Sequence, residues 1–301
     1  AYELGIESPV TFSSASGGAG AGKAVLKPVR LVVRPKAGDT LLRPGVFGAA
    51  QPIATALLTR RTETGKEFQI ASLGTVLVSS VRTIAAGEPV DEIELEVGSL
   101  RVSHGAASVS FDRVQNKATC AEPCPCGPVV NGRLGPYVQT QSDSWPIAPG
   151  AIRLSSLSVA VHNEVDLSAS TGTAEISKPV LDGIDLEGDM ETSGVCAFYY
   201  AALGGWASKV SLSVASPLST KWGPRDEITW DACMSAVSSV TFSSSPLDAS
   251  PHERIGLAAA GLVRTDRTFD PLNGKELLKT TSGWSFVRNQ PAKSCDTVFS
   301  Q

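Results

Sequence analysis

Val78-Ser79-Ser80-Val81 recurs letter for letter as Val237-Ser238-Ser239-Val240. One four-residue match is chance, but it has company in the same order. Gly22 to Val29 is echoed by Gly172 to Val180 with one residue inserted, and Lys66 to Ile70 by Asp226 to Trp230. Val210 to Val214 matches Ile53 to Leu58, and Asp91 to Leu95 is followed in the second half by Glu253 to Leu257. Val195 to Ala202 stands where Leu41 to Ala50 stood. The offset grows from 151 residues at Pro28/Pro179 to 159 at Val78/Val237 and 162 at Ile93/Ile255, with each step where a loop can lengthen. A self-similar chain of 301 residues is constrained to fold one supersecondary plan twice.

The plan is written in period two. Val29, Leu31 and Val33 point one way and Arg30 and Arg34 the other, the pattern of a half-buried strand. In Asp91 to Val97, the wet face holds Glu92, Glu94 and Glu96 and the dry face Ile93, Leu95 and Val97. After Gly98 the apolar phase flips to Leu100 and Val102, which predicts a bulge or tight bend. Charged residues are 19% and aromatics 6%, a composition that suits short strands and turns over helices. The predicted organisation is a first β unit over 1–104, a Pro/Cys-rich linker or insertion over 105–150, a second β unit over 151–290 and a tail over 291–301.

Few motifs suggest chemistry. Gly17 to Lys23 fits the spacing of a phosphate loop, but Ala24 replaces the required hydroxyl and a strand containing Pro28 follows. The segment reads as a loop between strands. His104, His162 and His252 stand apart and read as surface or structural histidines. The acidic run Asp182, Asp185, Glu187, Asp189 and Glu191 lacks calcium-loop spacing and reads as a solvated loop or a lumen-facing surface. No catalytic, cofactor or metal residue is assigned, and no enzyme activity is expected. The net charge of −4 and the lack of a basic stripe argue against nucleic acid. No run reaches the roughly 18 apolar residues of a membrane-spanning helix.

Six cysteines, Cys120, Cys124, Cys126, Cys196, Cys233 and Cys295, are an even number. With Ala at position 1, this reads as a mature exported protein, cytoplasmic before secretion and extracellular after it. Structural zinc prefers Cys-x-x-Cys pairs and a fourth ligand, so disulfides are expected at all six. Cys196 and Cys233 are expected to pair, and Cys295 to reach back to the cluster from Cys120 to Cys126.

The order of Gly-rich loop, Lys23-Ala24, strand, Leu41-Leu42 segment, hairpin through Thr64-Gly65-Lys66-Glu67-Phe68, Val76 to Val81 and Asp91 to Leu95 resembles the haemolysin-coregulated protein (Hcp) family, which forms the inner tube of type VI secretion systems. The resemblance covers residues 2–104 best. It implies a mainly β chain of two tandem Hcp-like, tail-tube-like β-barrels, each with one short helix. It further implies that the chain partners itself: three copies close a pseudo-hexameric ring, and rings stack into a tube with a place for cargo or a tip protein. Two other readings are a secreted two-domain β-sandwich adhesin or carbohydrate binder, with Trp206, Trp222 and Trp230 lining a groove, and a hub or baseplate component of a contractile injection system or phage.

Overall fold

The computed structural model describes residues 1–13, 18–34, 52–61, 67–84, 89–105, 107–122, 124, 126, 129–130, 133–134, 139–141, 151–167, 174–215, 219–220, 223–245 and 248–299. The first copy begins with β1 (Tyr2–Glu7), the hairpin of β2 (Val10–Ser13) and β3 (Gly18–Ala21), β4 (Val25–Leu26) and β5 (Val29–Val33). It continues with β6 (Ile53–Arg61), β7 (Glu67–Ile84) and β8 (Val90–His104), then β9 (Ala107–Asp112) and β10 (Lys117–Cys120). Short strands β11 (Val129–Val130), β12 (Arg133–Leu134), β13 (Gln139–Gln141) and β14 (Ala151–Arg153) lead to the second copy. That copy holds β15 (Ser156–Leu167), β16 (Ala174–Asp189), helix α1 (Thr192–Leu203) and β17 (Trp206–Ala215). The small pair β18 (Ser219–Thr220) and β19 (Gly223–Pro224) precedes the long β20 (Asp226–Ser244) and β21 (His252–Phe269). The chain closes with β22 (Glu276–Ser285), β23 (Gln290–Pro291) and the short helix α2 (Cys295–Phe299). The mainly β fold class read from the sequence is the one observed.

Strand pairing makes the duplication concrete. β7 and β8 pair antiparallel with a register shift at Val78/Ser80, and β20 and β21 with one at Val237/Ser239. The repeated Val-Ser-Ser-Val is therefore a repeated bulge, an extra residue that kinks the strand and deepens its twist. Just upstream, Thr75 (φ 52°) and Met234 (φ 47°) are both left-handed, a conformation uncommon for side chains of this kind. They too are 159 residues apart. Gly98 lies across from Thr75, and a Cβ there would sit 3.0 Å from the Thr75 Cβ.

One landmark is misplaced by sequence. β5 pairs β8 with Val29 opposite Leu95, and β16 pairs β21 with Ile184 opposite Leu257. Because Leu95 and Leu257 are equivalent, Val29 corresponds to Ile184, an offset of 155 and not 151. Pro179 lies opposite Asn163 instead. The bulged β15–β16 ladder, with shifts after Ala160 and Asn163, absorbs the residues that the sequence match had placed in a loop. Two segments expected to lack regular structure are strands. Part of the Gly-rich run is β3, paired with β2. Residues 107–120 form the β9–β10 hairpin, which continues the ladder from β8. Their alternation, with Ala107, Val109 and Phe111 buried, was overshadowed by the prolines and cysteines that follow. The segment Leu41 to Ala50 lies outside the described residues.

Both copies feed one core. Leu4 and Ile6 of β1, Phe111 of β9, Phe198 of α1 and Phe242 of β20 are fully buried in a single apolar cluster, with the Phe198 and Phe242 rings 6.4 Å apart. α1 packs over β20, β9, β10 and β1. It ends at Gly204 in the left-handed conformation (φ 64°), where the backbone N–H groups return to Ala201 and Tyr200.

Candidate assembly surface

β1 belongs by sequence to the first copy, yet it lies between the two copies. One of its edges pairs with β4 and β5 of its own copy, with Ile6 opposite Leu26 and Tyr2 opposite Leu31. The other pairs antiparallel with β20 of the second copy, from Tyr2 opposite Ser244 to Glu7 opposite Ser239. The Ser8 N–H extends the ladder to the Ser238 carbonyl at 2.8 Å. Its inward side chains, Leu4 and Ile6, are 0% exposed, as are Val240 and Phe242 opposite them. At Gly5 the strands approach so closely that a Cβ would sit 2.4 Å from the Val240 carbonyl oxygen. Burial pushes the Tyr2 phenol up to about 12, against the pull of Arg60. Outside, Lys27 pairs with Glu7 at 2.8 Å.

The register identifies the same parts elsewhere. Leu157 lies opposite Leu186 as Tyr2 lies opposite Leu31, so β15 is the second copy's equivalent of β1. The Ser155 N–H donates to the Glu187 carbonyl at 2.8 Å, holding β15 on β16. Among the described residues, β15 has only this one neighbour, and its other edge is open. The equivalent of the β20 edge is the stretch of β7 from Ser79 to Ile84. It pairs with β8 on one side, and β6 reaches only as far as Val76 on the other. Among the described residues, the chain thus has one junction made internally and one open strand edge of each of the two kinds that the junction joins.

The predicted site residues distribute otherwise than expected. Three disulfides form, Cys120–Cys124, Cys126–Cys196 and Cys233–Cys295. The expected Cys196–Cys233 pair is therefore wrong, and so is the reach of Cys295 to the linker cluster. Successive strand residues face opposite sides: Ala232 packs in the main core, whereas Cys233 faces a second small core with Val263, Ala292 and Val298. Cys233 thus meets α2, and Cys196 of α1 meets Cys126. The sulfurs of Cys120, Cys124 and Cys126 lie within 4.8 Å of one another, a proximity that the two adjoining disulfides account for.

Trp206 and Trp230 do not share a groove. Trp206 is opposite Ala236 and Trp230 opposite Leu212, positions six residues apart on β17 and so about 20 Å apart. Trp230 instead stacks under the Arg264 guanidinium, 5.2 Å from the ring centre. Trp222 lies outside the described residues. From Asp182 to Asp189 the acidic run is not a loop but part of β16, with Glu191 at the N-cap of α1; Asp185 and Glu187 pair with Arg254 at 3.3 and 3.6 Å. His162 lies 2.7 Å from Asp182, and His252 lies 3.5 Å from Asp189.

Sequence reasoning missed a pair of buried acids. Asp91 and Glu253, 3% and 2% exposed, are equivalent in the two copies. Asp91 is in phase with Ile93 and Leu95, which was the signal available. Asp91 accepts a hydrogen bond from the Thr83 hydroxyl at 2.7 Å. Glu253 accepts one from the Glu191 N–H at 3.0 Å at the start of α1, while its other carboxyl oxygen has no protein partner. Burial pushes the Glu253 carboxyl up to about 8, opposed by that hydrogen bond and reinforced by the charges of Glu191 and Asp189.

No helix among the described residues is long and apolar enough to cross a membrane. No protein-family profile and no curated relative matches the chain. A part of the chain, less than half of it, is similar to solved structures of type VI secretion proteins. A type six secretion system protein shares 19% identity over 46% of this chain and 85% of the other, with a TM-score of 0.41. Hcp1 from Salmonella typhimurium shares 17% over 46% and 83%, with a TM-score of 0.34. A type VI secretion system effector from Yersinia pestis shares 13% over 43% and 83%, with a TM-score of 0.29.

Proposed function

We propose that this is a structural, non-catalytic protein whose copies join into closed rings that stack into a hollow tube. The observation that carries the reading is the internal junction: β1 of the first copy completes the sheet of the second. The surfaces joined are unlike, a strand edge on one copy and a ladder edge on the next. A heterologous contact of this kind repeats with direction, and it closes into a ring when its rotation divides a full turn. Open strand edges are also a hazard that proteins cover, and pairing with a neighbour covers them.

Each chain contributes two units, so a ring of six units needs three chains. The stacked assembly has an axial lumen for cargo and terminal rings for a tip protein. Three disulfides among six cysteines suit a tube that persists outside the cell after export. The experiment is negative-stain microscopy with mass measurement on oxidised protein. Rings, stacked rings or trimers are expected. A strict monomer at high concentration overturns the reading.

A further inference from the structure

The internal junction specifies the external one. Resting on the ring reading above, we infer that β15 of one copy of this chain docks antiparallel on the open edge of β7 in the next. The register runs from Ser158 opposite Ile84 to His162 opposite Ser80. It follows from translating the internal ladder, Glu3 opposite Ser243 to Glu7 opposite Ser239, by the offsets that the sheet itself establishes: 155 residues for the strand and 159 for the ladder edge.

Burial supports the partner's identity. Val159 and Val161 correspond to Leu4 and Ile6. The first pair is partly or largely exposed, with Val161 at 43%, while the second pair is at 0%. On the receiving edge, Val81 and Thr83 correspond to Val240 and Phe242. The first pair is half-buried and exposed, and the second is again fully buried. Val159 and Val81 touch the main core but are only half covered, and an alternating strand whose apolar face is incompletely covered has room for a partner. The missing partner has the shape of a surface that this chain already carries. Docking pairs Val159 with Thr83 and Val161 with Val81; it covers the three valines, and Thr83 keeps its hydroxyl on Asp91. At the tight point, Gly5 against Thr241, the new junction pairs Ala160 with Arg82. Both are exposed on the outer face of their strands; because a Cβ at Gly5 would meet the Val240 carbonyl, the Ala160 methyl keeps β15 slightly further from the Val81 carbonyl of β7 than β1 lies from β20.

The contact is tested by cross-linking at that outer pair. Ala160→Cys and Arg82→Cys are made as single variants and mixed, then oxidised briefly with copper–phenanthroline, which takes the two electrons released as the two thiols join. Neither variant alone is expected to cross-link, because the contact is heterologous; the mixture yields a covalent dimer, and the double variant a covalent trimer with nothing larger. Circular dichroism of each single variant verifies folding. Rings that form without cross-links overturn the junction and leave the ring reading standing. So does equal cross-linking of Ala160→Cys with Thr83→Cys, whose side chains face opposite sides in this register. A like-with-like dimer from either single variant also overturns it. Absence of assembly by the unmodified protein overturns both.

Discussion

The two copies share a frame and differ in what is fastened to it. Both carry the left-handed residue, Thr75 or Met234, and the bulge four residues on. Both also bury an acid on the neighbouring strand, Asp91 or Glu253. They part at the surface. Arg30 pairs with Glu92 at 2.9 Å in the first copy. At the equivalent positions the second has Asp185 with Arg254 at 3.3 Å, the same diagonal with its charges reversed. The second copy is also cross-linked, through α1 to Cys126 and through β20 to α2. Its β20 edge is filled from within the chain, whereas the equivalent edge of β7 is open. Backbone devices that shape a sheet were kept in the duplication, while side-chain pairs on wet faces drifted, because exposed ion pairs contribute little to stability.

The largest asymmetry to test is the acid. Glu253 holds its proton in the folded chain up to about pH 8. Unfolded, it loses the proton near its ordinary value of 4.5. Between these limits the folded state binds more protons, so stability is fully present below about 4.5 and falls as pH rises through about 8. A shifted group changes stability by up to about 1.4 kcal/mol per pH unit, several kcal/mol over the window. Glu253→Gln keeps an acceptor for the Glu191 N–H and removes the ionisation. Urea titrations from pH 4 to 9 should show the wild-type stability, relative to this variant, falling with pH. A difference that is flat with pH would mean that Glu253 is ionised in the fold.

The staples rank next. In the chain-entropy account, a crosslink closing 70 residues, as Cys126–Cys196 does, stabilises by about 4 kcal/mol, and one closing four, as Cys120–Cys124 does, by about 2. The double variant Cys126→Ala/Cys196→Ala should therefore lower the chemical midpoint about twice as far as Cys120→Ala/Cys124→Ala. Equal losses would show that the second copy's helix does not depend on its tether.

Much of the frame was legible in sequence because period-two alternation and the Val-Ser-Ser-Val bulge are local signals. The fold class, the duplication and the strands at Val29 to Val33 and Asp91 to Val97 all rest on such signals. The disulfide pairing was not legible. It depends on which face of β20 Cys233 takes and on which helix covers that face, both settled by tertiary packing. The assembly surface was half legible: the exposed alternating strands were visible, but not that β1 crosses to the other copy. Nothing in Tyr2 to Glu7 encodes its partner; only the register of a strand more than 230 residues away reveals it.

That crossing is tested at Gly5. Its virtual Cβ meets a backbone oxygen at 2.4 Å, and a carbonyl within a paired ladder cannot swing aside as a side chain can. Gly5→Val should cost about 3 kcal/mol, the upper range for overpacking. It should also raise amide exchange along β1 and along Ser239 to Ser244. Ala160→Val at the equivalent, exposed position of β15 should change the monomer's stability by less than about 0.5 kcal/mol. If both substitutions cost the same in the monomer, the difference between a filled and an open edge is lost.

The smallest effect belongs to the reversed ion pair. Arg30→Asp alone sets a second carboxylate against Glu92 on a half-exposed surface, and Glu92→Arg alone leaves two cations there; each should cost about 0.5 kcal/mol at low salt. Together they reproduce the charge order of Asp185 and Arg254, and the double variant should return to within about 0.3 kcal/mol of wild type. Thermal melts of the four proteins at low and high salt form a complete cycle. If the coupling between the two positions vanishes even at low salt, each copy tolerates either charge, and the reversal is drift alone. If the coupling persists at high salt, where the Debye length shortens to about 3 Å, the pair acts through direct hydrogen bonding. The reversal is then a compensated change in which both partners had to alter together.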